Sequence, residues 1–238
     1  MIKLKKLRDT IYYMEHERDT DRPQLVYLKG EKFSVMIDTG NSRRHLEQFL
    51  QAVEEAGLPM PELALITHWH WDHTFAMHAF PGKTVACTET NGHLKRMKDW
   101  KWEDEAMKAR LEFGEEIEFA DSHIRKEYGC LSDIRVAEAD ILFEEYLKID
   151  LGGISCEMRK VGGPHEADSC VILVPEEKVL VSGDAHSGDY YHMQGAVDPE
   201  KMADYIGRLR SMDFDVYMMG HGEPVSKQEI LKELEALC

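Results

Sequence analysis

The run His68-Trp69-His70-Trp71-Asp72-His73 constrains this chain more than any other stretch. Four of its side chains are imidazole or carboxylate, the usual nitrogen and oxygen donors for Zn²⁺. The run follows directly on Leu63 to Ile66, an apolar strand candidate. Alternate side chains of an extended segment share a face, so His68 and His70 point the same way. Asp72 and His73 follow where the chain leaves the strand and can turn toward a neighbouring point. One segment can therefore feed two metal sites. The plain alternative is a polar surface run beside two core tryptophans, and the density of donors argues against it.

One segment completes neither coordination shell, so further donors must come from elsewhere. Three candidates each end an apolar strand or hairpin: His165 in Gly162-Gly163-Pro164-His165, Asp184 in Ser182-Gly183-Asp184, and His221 in Gly220-His221-Gly222. Small neighbours keep the backbone permissive and the approach open. Singly each is an ordinary turn residue; in this order after the run they form a constellation.

Around these donors the chain reads as strands at Thr10 to His16, Gln24 to Lys29 and Phe33 to Ile37, then a helix from Arg43 to Ala56 stopped by Gly57. From about Leu94 to Glu145 the sequence is charged and helix-forming, with Met107, Leu111 and Ile117 as one apolar stripe. Two hairpins follow, turning at Gly152-Gly153 and at Pro175 to Lys178. Pro199 to Arg210 is a helix, Val216 to Met219 a strand, and Lys227 to Ala236 a closing helix. Helices placed outside each half suggest two packed sheets flanked by helices; hairpins dominate, so a doubly wound parallel sheet is not expected.

Composition narrows the partners. The 238 residues fit one large domain or two small ones, and 43% hydrophobic residues can fill a sizeable core. A formal net charge of -16 argues against a nucleic-acid backbone as main partner, since phosphate binding needs a basic face. No apolar run approaches a membrane span, and no signal-peptide core follows the basic N-terminus. Cys87, Cys130, Cys156, Cys170 and Cys238 are widely spread without a C-x-x-C pair and read as reduced thiols. A cytoplasmic protein with a small-molecule substrate is expected; a homodimer stays open.

With these motifs in this order, the chain resembles the metallo-β-lactamase-fold superfamily from the Asp38 segment to His221. The resemblance implies an α+β fold, a four-layer αββα sandwich forming a single domain over residues 1–238 with a helical insertion at about 94–145. It implies two divalent metal ions at one edge of the sheets: His68, His70 and His165 on the first, Asp72, His73 and His221 on the second, and Asp184 bridging them. Asp38 would orient ligands from behind, fixing the direction of a ligating imidazole. The third motif departs from the Gly-His-Thr type of many family hydrolases, because Glu166 and Asp168 follow His165. That leaves the metal site intact and the substrate class open.

Two cations about 3.5–4 Å apart can share a water and lower its pKa toward about 7, giving hydroxide as the expected nucleophile. Asp72 is placed to orient it while ligating. His186, Tyr190, Tyr191 and His192, soon after the bridging Asp, are candidates for a proton donor or oxyanion partner, with His186 and Tyr190 foremost. His16, His45, His78, His93 and His123 lack ligand context and read as surface or packing residues. The expected activity is hydrolysis of a small ester-like substrate: a thioester, lactone or phosphodiester. A β-lactamase fits less well, because resembling β-lactamases generally lack the bridging Asp and are usually exported. Flavo-diiron oxidoreductases of this fold carry Glu where His70 stands and add a further domain; a mononuclear iron dioxygenase of the same fold survives as an alternative. Zn is the expected metal, with Fe and Mn equally suited to the mixed donor set. The segment from Leu94 to Glu145, rich in Trp100, Trp102, Phe113, Phe119 and Tyr128, is either a lid over the site or helices packed onto the sheet.

Overall fold

The structure is a computed structural model and describes residues 3–237; Cys238 lies outside them. Lys5–Lys6 (β1), Ile11–Met14 (β2), Leu25–Lys29 (β3) and Ser34–Ile37 (β4) form an antiparallel meander. Helix Arg43–Glu55 (α1), capped by Ser42 Oγ on His45 N, carries the chain back, so Leu63–Leu65 (β5) runs parallel to β4. The short helix Trp71–Thr74 (α2) leads toward Lys83–Cys87 (β6), parallel to β5. Three helices, Thr88–Met97 (α3), Asp104–Phe113 (α4) and Glu118–Glu127 (α5), precede Ile141–Phe143 (β7), which lies parallel to β6 and ends a seven-stranded sheet.

The second half repeats the plan. Tyr146–Gly152 (β8), Ile154–Lys160 (β9), Cys170–Val174 (β10) and Val179–Gly183 (β11) are joined as antiparallel neighbours. Helices Tyr190–Met193 (α6) and Pro199–Ser211 (α7) intervene, so Val216–Met219 (β12) runs parallel to β11. Val225–Ser226 (β13) closes the six-stranded sheet, and a Ser226/Glu229 capping box starts helix Lys227–Glu235 (α8).

Strand alternation sorts the side chains into layers. Val26, Leu28, Val35 and Ile37 of the first sheet meet Cys156, Met158, Ile172 and Val181 of the second between the sheets. Their neighbours Leu25, Tyr27 and Met36 face outward onto Leu46, Phe49 and Val53 of α1. Val171, Leu173 and Leu180 face the other way, onto Tyr205, Leu209 and Ile230 of α7 and α8. The result is the four-layer αββα sandwich.

Both predicted hairpins stand where the sequence puts them. Four strands were not legible: β1 and β13 are two residues each, β6 has only Val85 to Cys87 as an apolar run, and Ile141 and Leu142 of β7 are exposed. The run of parallel neighbours from β4 to β7 also exceeds what a hairpin-dominated reading implies. Helical crossovers through α1 and through α3 to α5 return the chain to the same edge, and that enforces parallel pairing. Cys87, Cys130, Cys156 and Cys170 form no disulfide. Among the described residues no helix is long and apolar enough to cross a membrane.

Candidate metal centre

Every donor singled out in the sequence arrives on a loop at one end of the sandwich. Asp38 follows β4, Thr67 to His73 follow β5, Asp184 follows β11 and His221 follows β12. His165 lies on the loop before β10. Gly220 makes the last approach possible: a Cβ there would overlap Asp184 Oδ1 and sit 3.1 Å from His73 Cε1.

The donors fall into two groups. His68, His70 and His165 bring ligand atoms within 4.8 Å of one another, and so do Asp72, His73, Asp184 and His221. The acceptors around each ring decide which nitrogen faces inward. His70 Nε2 donates to Glu166 Oε1 at 3.0 Å, leaving Nδ1 bare. His165 Nδ1 donates to the Gly188 carbonyl at 2.8 Å, leaving Nε2, which lies 3.0 Å from His70 Nδ1. His73 Nδ1 donates to Asp38 Oδ2 at 2.7 Å. His68 Nδ1 meets Thr67 Oγ1 at 3.1 Å, and that hydroxyl donates in turn to Asp38. His221 Nδ1 is 3.6 Å from Asp21 Oδ1, while its Nε2 is 3.0 Å from Asp72 Oδ2 and 3.5 Å from Asp184 Oδ2. Outer partners thus hold each imidazole with one lone pair directed at the centre.

The donor set fits divalent metal. His68 Nε2 is buried without a hydrogen-bond partner, a costly condition that a cation relieves. Two buried carboxylates nearby supply the negative charge a pair of cations needs. The electrostatics differ between the groups, although against its burial Glu166 raises His70 of the first. Burial and the other imidazoles hold His68 well below its ordinary pKa and press His165 down to about 4. Burial opposes protonation of His73 and His221 as well, but there the carboxylates prevail. Asp72 and Asp38 raise His73 well above its usual range, and Asp184 with Asp72 raises His221 to about 9. Against the same burial, the imidazoles drive Asp72 and Asp184 well below the carboxylate range. A proton on the second group therefore stands where a cation would sit.

A cavity of about 330 Å³ opens onto both groups. Trp71, Ile117, Phe119 and Ala120 form one wall, so the segment before and along α5 faces the site. Its other side packs as core: Met107, Trp102 and Ile124 lie on Trp69, Trp71 and Phe75. The segment thus lines the cavity on one face and packs as core on another, and Phe113 does neither, being 81% exposed.

Of the catalytic candidates, Asp72 and Tyr190 line the cavity. His186 does not. The chain reverses after β11 with Ser187 N on Asp184 O, and His186 turns away to pack edge-on against Tyr217, ring centroids 5.7 Å apart. Tyr191 packs on His70 at 5.1 Å, but its hydroxyl is engaged, donating to Glu116 at 2.9 Å. His192 pairs with Asp189. Glu166 is buried behind His70 and held down to about 2: burial opposes this, and His70 outweighs it. Asp168 accepts from Thr90 Oγ1, and burial lifts it to about 7. Three lining residues carry no signal in the sequence: His16, Arg18 and Asp21. They come from a polar turn far upstream that holds no motif, and His16 by type reads as a packing residue.

With this geometry in view, comparison with known proteins places the chain. A profile of the metallo-beta-lactamase superfamily matches residues 19–221, and the chain belongs to that family, whose members are mostly hydrolases. Among solved structures, a metallo-beta-lactamase from Pontibacter korlensis superposes with TM-score 0.71 at 17% identity, covering 100% of this chain and 99% of that one. A stereoselective inverting sec-alkylsulfatase from Pseudomonas sp. gives 0.70 at 16% identity, covering 100% of this chain but 41% of the sulfatase. A metallo-beta-lactamase family protein from Thermus thermophilus gives 0.68 at 16%, covering 97% and 80%. At these identities the likeness is one of fold. No curated protein matches the sequence.

Proposed function

We propose that this chain is a binuclear metal-dependent hydrolase of small ester-like substrates: a thioester, lactone or phosphodiester. The observation that carries the reading is the pair of complete donor groups opening into one cavity. His68, His70 and His165 would hold one ion and Asp72, His73 and His221 the other, with Asp184 between them. Zn is the expected metal, and the same donors suit Fe or Mn. When bound, two such cations lower the pKa of water toward about 7 and polarise the oxygen of the attacked group.

The residues do the rest. Asp72 Oδ2 lies 3.0 Å from both His73 Nε2 and His221 Nε2, so the carboxylate holds its orientation and can direct a water's proton. Tyr191 is unavailable as a proton donor because burial and Glu116 hold its phenol protonated and pointed away. The Tyr190 phenol, whose ring meets His165 at 6.2 Å, is the donor in reach of a leaving group. Trp71 and Phe119 put apolar surface in the same cavity.

The two groups favour this reading over a single-iron dioxygenase, which needs only the first. Elemental analysis after metal reconstitution, followed by a panel of thioesters, lactones, phosphodiesters and a chromogenic β-lactam, tests it. Two ions per chain with chelator-sensitive turnover of an ester-like substrate is the expected result. One iron with oxygen consumption, or turnover of the β-lactam alone, would overturn it.

A further inference from the structure

Resting on the hydrolase reading, we infer that the substrate is an amphiphilic anion whose free carboxylate, sulfate or phosphate is taken by Arg18 while its apolar part lies against Phe119 and Tyr190. Among the described residues lining the cavity, Arg18 is the only Lys or Arg; the other charged lining groups are Asp21, Asp72, Asp184 and the histidines. The guanidinium is exposed and has no hydrogen-bond or ion-pair partner among the described residues. That is unusual here, because the chain has 45 acidic residues against 29 basic ones, and Glu17 and Asp19 flank Arg18 directly.

The Glu17 carboxylate is committed within the turn, the Asp19 carboxylate stays 85% exposed, and backbone contacts pin the turn. Glu17 and Arg22 exchange backbone hydrogen bonds of 2.8 Å. The Glu17 carboxylate accepts from Thr20 N at 3.3 Å and Thr20 Oγ1 at 2.7 Å, closing the turn from inside. Asn41 Nδ2 donates to the Thr20 carbonyl at 2.8 Å, and Lys126 Nζ on α5 to the Asp19 carbonyl at 3.3 Å. Arg22 anchors the end of the turn through its buried pair with Glu127. A solvated surface arginine needs no such mounting. Here a pinned turn presents an unpaired planar fork, the shape that binds carboxylate, sulfate or phosphate through two parallel hydrogen bonds.

Aromatic residues lining the same cavity complete the substrate's outline. Phe119 and Tyr190 stack at 6.1 Å, and both remain about half exposed, at 49% and 46%. Two aromatic rings left open beside a polar floor are a surface for an apolar chain or ring. Arg18 therefore selects through binding, as a specificity residue, and takes no part in bond breaking.

Calorimetric titration of the metal-loaded protein with hexanesulfonate and with hexanol tests this without turnover; a sulfonate is a weak metal ligand. The wild type is expected to prefer the sulfonate. Arg18→Gln should weaken sulfonate binding about tenfold, while hexanol binding changes less than twofold and Arg18→Lys recovers part of the loss. Equal sulfonate affinity in the wild type and Arg18→Gln, or no preference in the wild type, would overturn the inference. The ratio of kcat/KM for mono-p-nitrophenyl succinate over p-nitrophenyl butyrate should fall about tenfold in Arg18→Gln. If neither ester is cleaved, the titration alone still decides the role of Arg18, and the hydrolase reading stands or falls by its own panel of thioesters, lactones and phosphodiesters.

Discussion

Asp38→Asn is expected to loosen one metal ion and leave the other in place. Asp38 is buried where β4 ends and accepts from Thr67 N at 2.8 Å, from Thr67 Oγ1 at 2.9 Å and from His73 Nδ1 at 2.7 Å. Its φ is +57°, a left-handed conformation that asparagine adopts with little strain, so the substitution leaves the backbone undisturbed. The amide oxygen can keep the Thr67 N–H bond. The amide nitrogen then faces His73 Nδ1, which must accept rather than donate, and the ring proton moves to Nε2. Nε2 is the atom directed at Asp72 and Asp184. A ligand whose lone pair is covered by a proton must change tautomer or rotate before it binds. Loss of such an outer partner costs about 10–100-fold in metal affinity, or about 1.4–2.7 kcal/mol. The measurement is competition against a chromophoric zinc chelator, fitted to two ions, with thermal melts of the metal-free protein to establish folding. A folded variant that binds both ions within twofold of wild type would refute the orienting role. Equal weakening of both ions would show that Asp38 only braces the loop.

Three further outcomes follow from the same geometry. The neighbouring carboxylates raise His73 above its ordinary range and His221 to about 9, so an ion entering the metal-free centre competes with protons there. As pH falls below about 9 the second group should weaken first, because both of its imidazoles are raised, whereas in the first group only His70 is raised, by Glu166, and His68 and His165 are lowered; elemental analysis after dialysis across pH should pass through a one-ion plateau, and simultaneous loss of both ions would contradict this. Asp184→Ala should deplete metal more than Glu166→Ala or Asp168→Ala, since Asp184 faces both His73 and His221 while Glu166 acts through His70; equal metal content in the three would remove its bridging role. Glu127→Ala strands the Arg22 guanidinium, whose side chain is 9% exposed, and should cost about 3–5 kcal/mol in urea unfolding; a loss below about 1 kcal/mol would mean the pair contributes little beyond its desolvation.

The residues of the two clusters that could hold metal were legible in the sequence because coordination chemistry depends on residue type, and four of the seven fall within six consecutive positions after an apolar strand. The hairpins were legible because their turns are local. What escaped depends on closure in three dimensions. Asp184 and His186 stand two residues apart, yet the reversal after β11 sends one to the centre and the other onto Tyr217. Both were plausible participants by type, and only the turn separates them. The converse holds for Asp21, which looks like any loop aspartate. It stands 3.6 Å from His221, 200 residues away, because the turn from Glu17 to Arg22 is pinned by Asn41 and by α5. Burial and the charge of Asp72 raise it to about 6, so it belongs electrically to the centre as well. The helical segment combines both cases: its apolar residues announce a packed face, but which of them reach the cavity is decided by the anchoring of α5 through Glu127 to Arg22, Ser42 and Arg44. That buried cluster ties the wall of the site to the turn that carries Arg18. A substitution at Glu127 should therefore disturb the mouth of the cavity before it disturbs the donors.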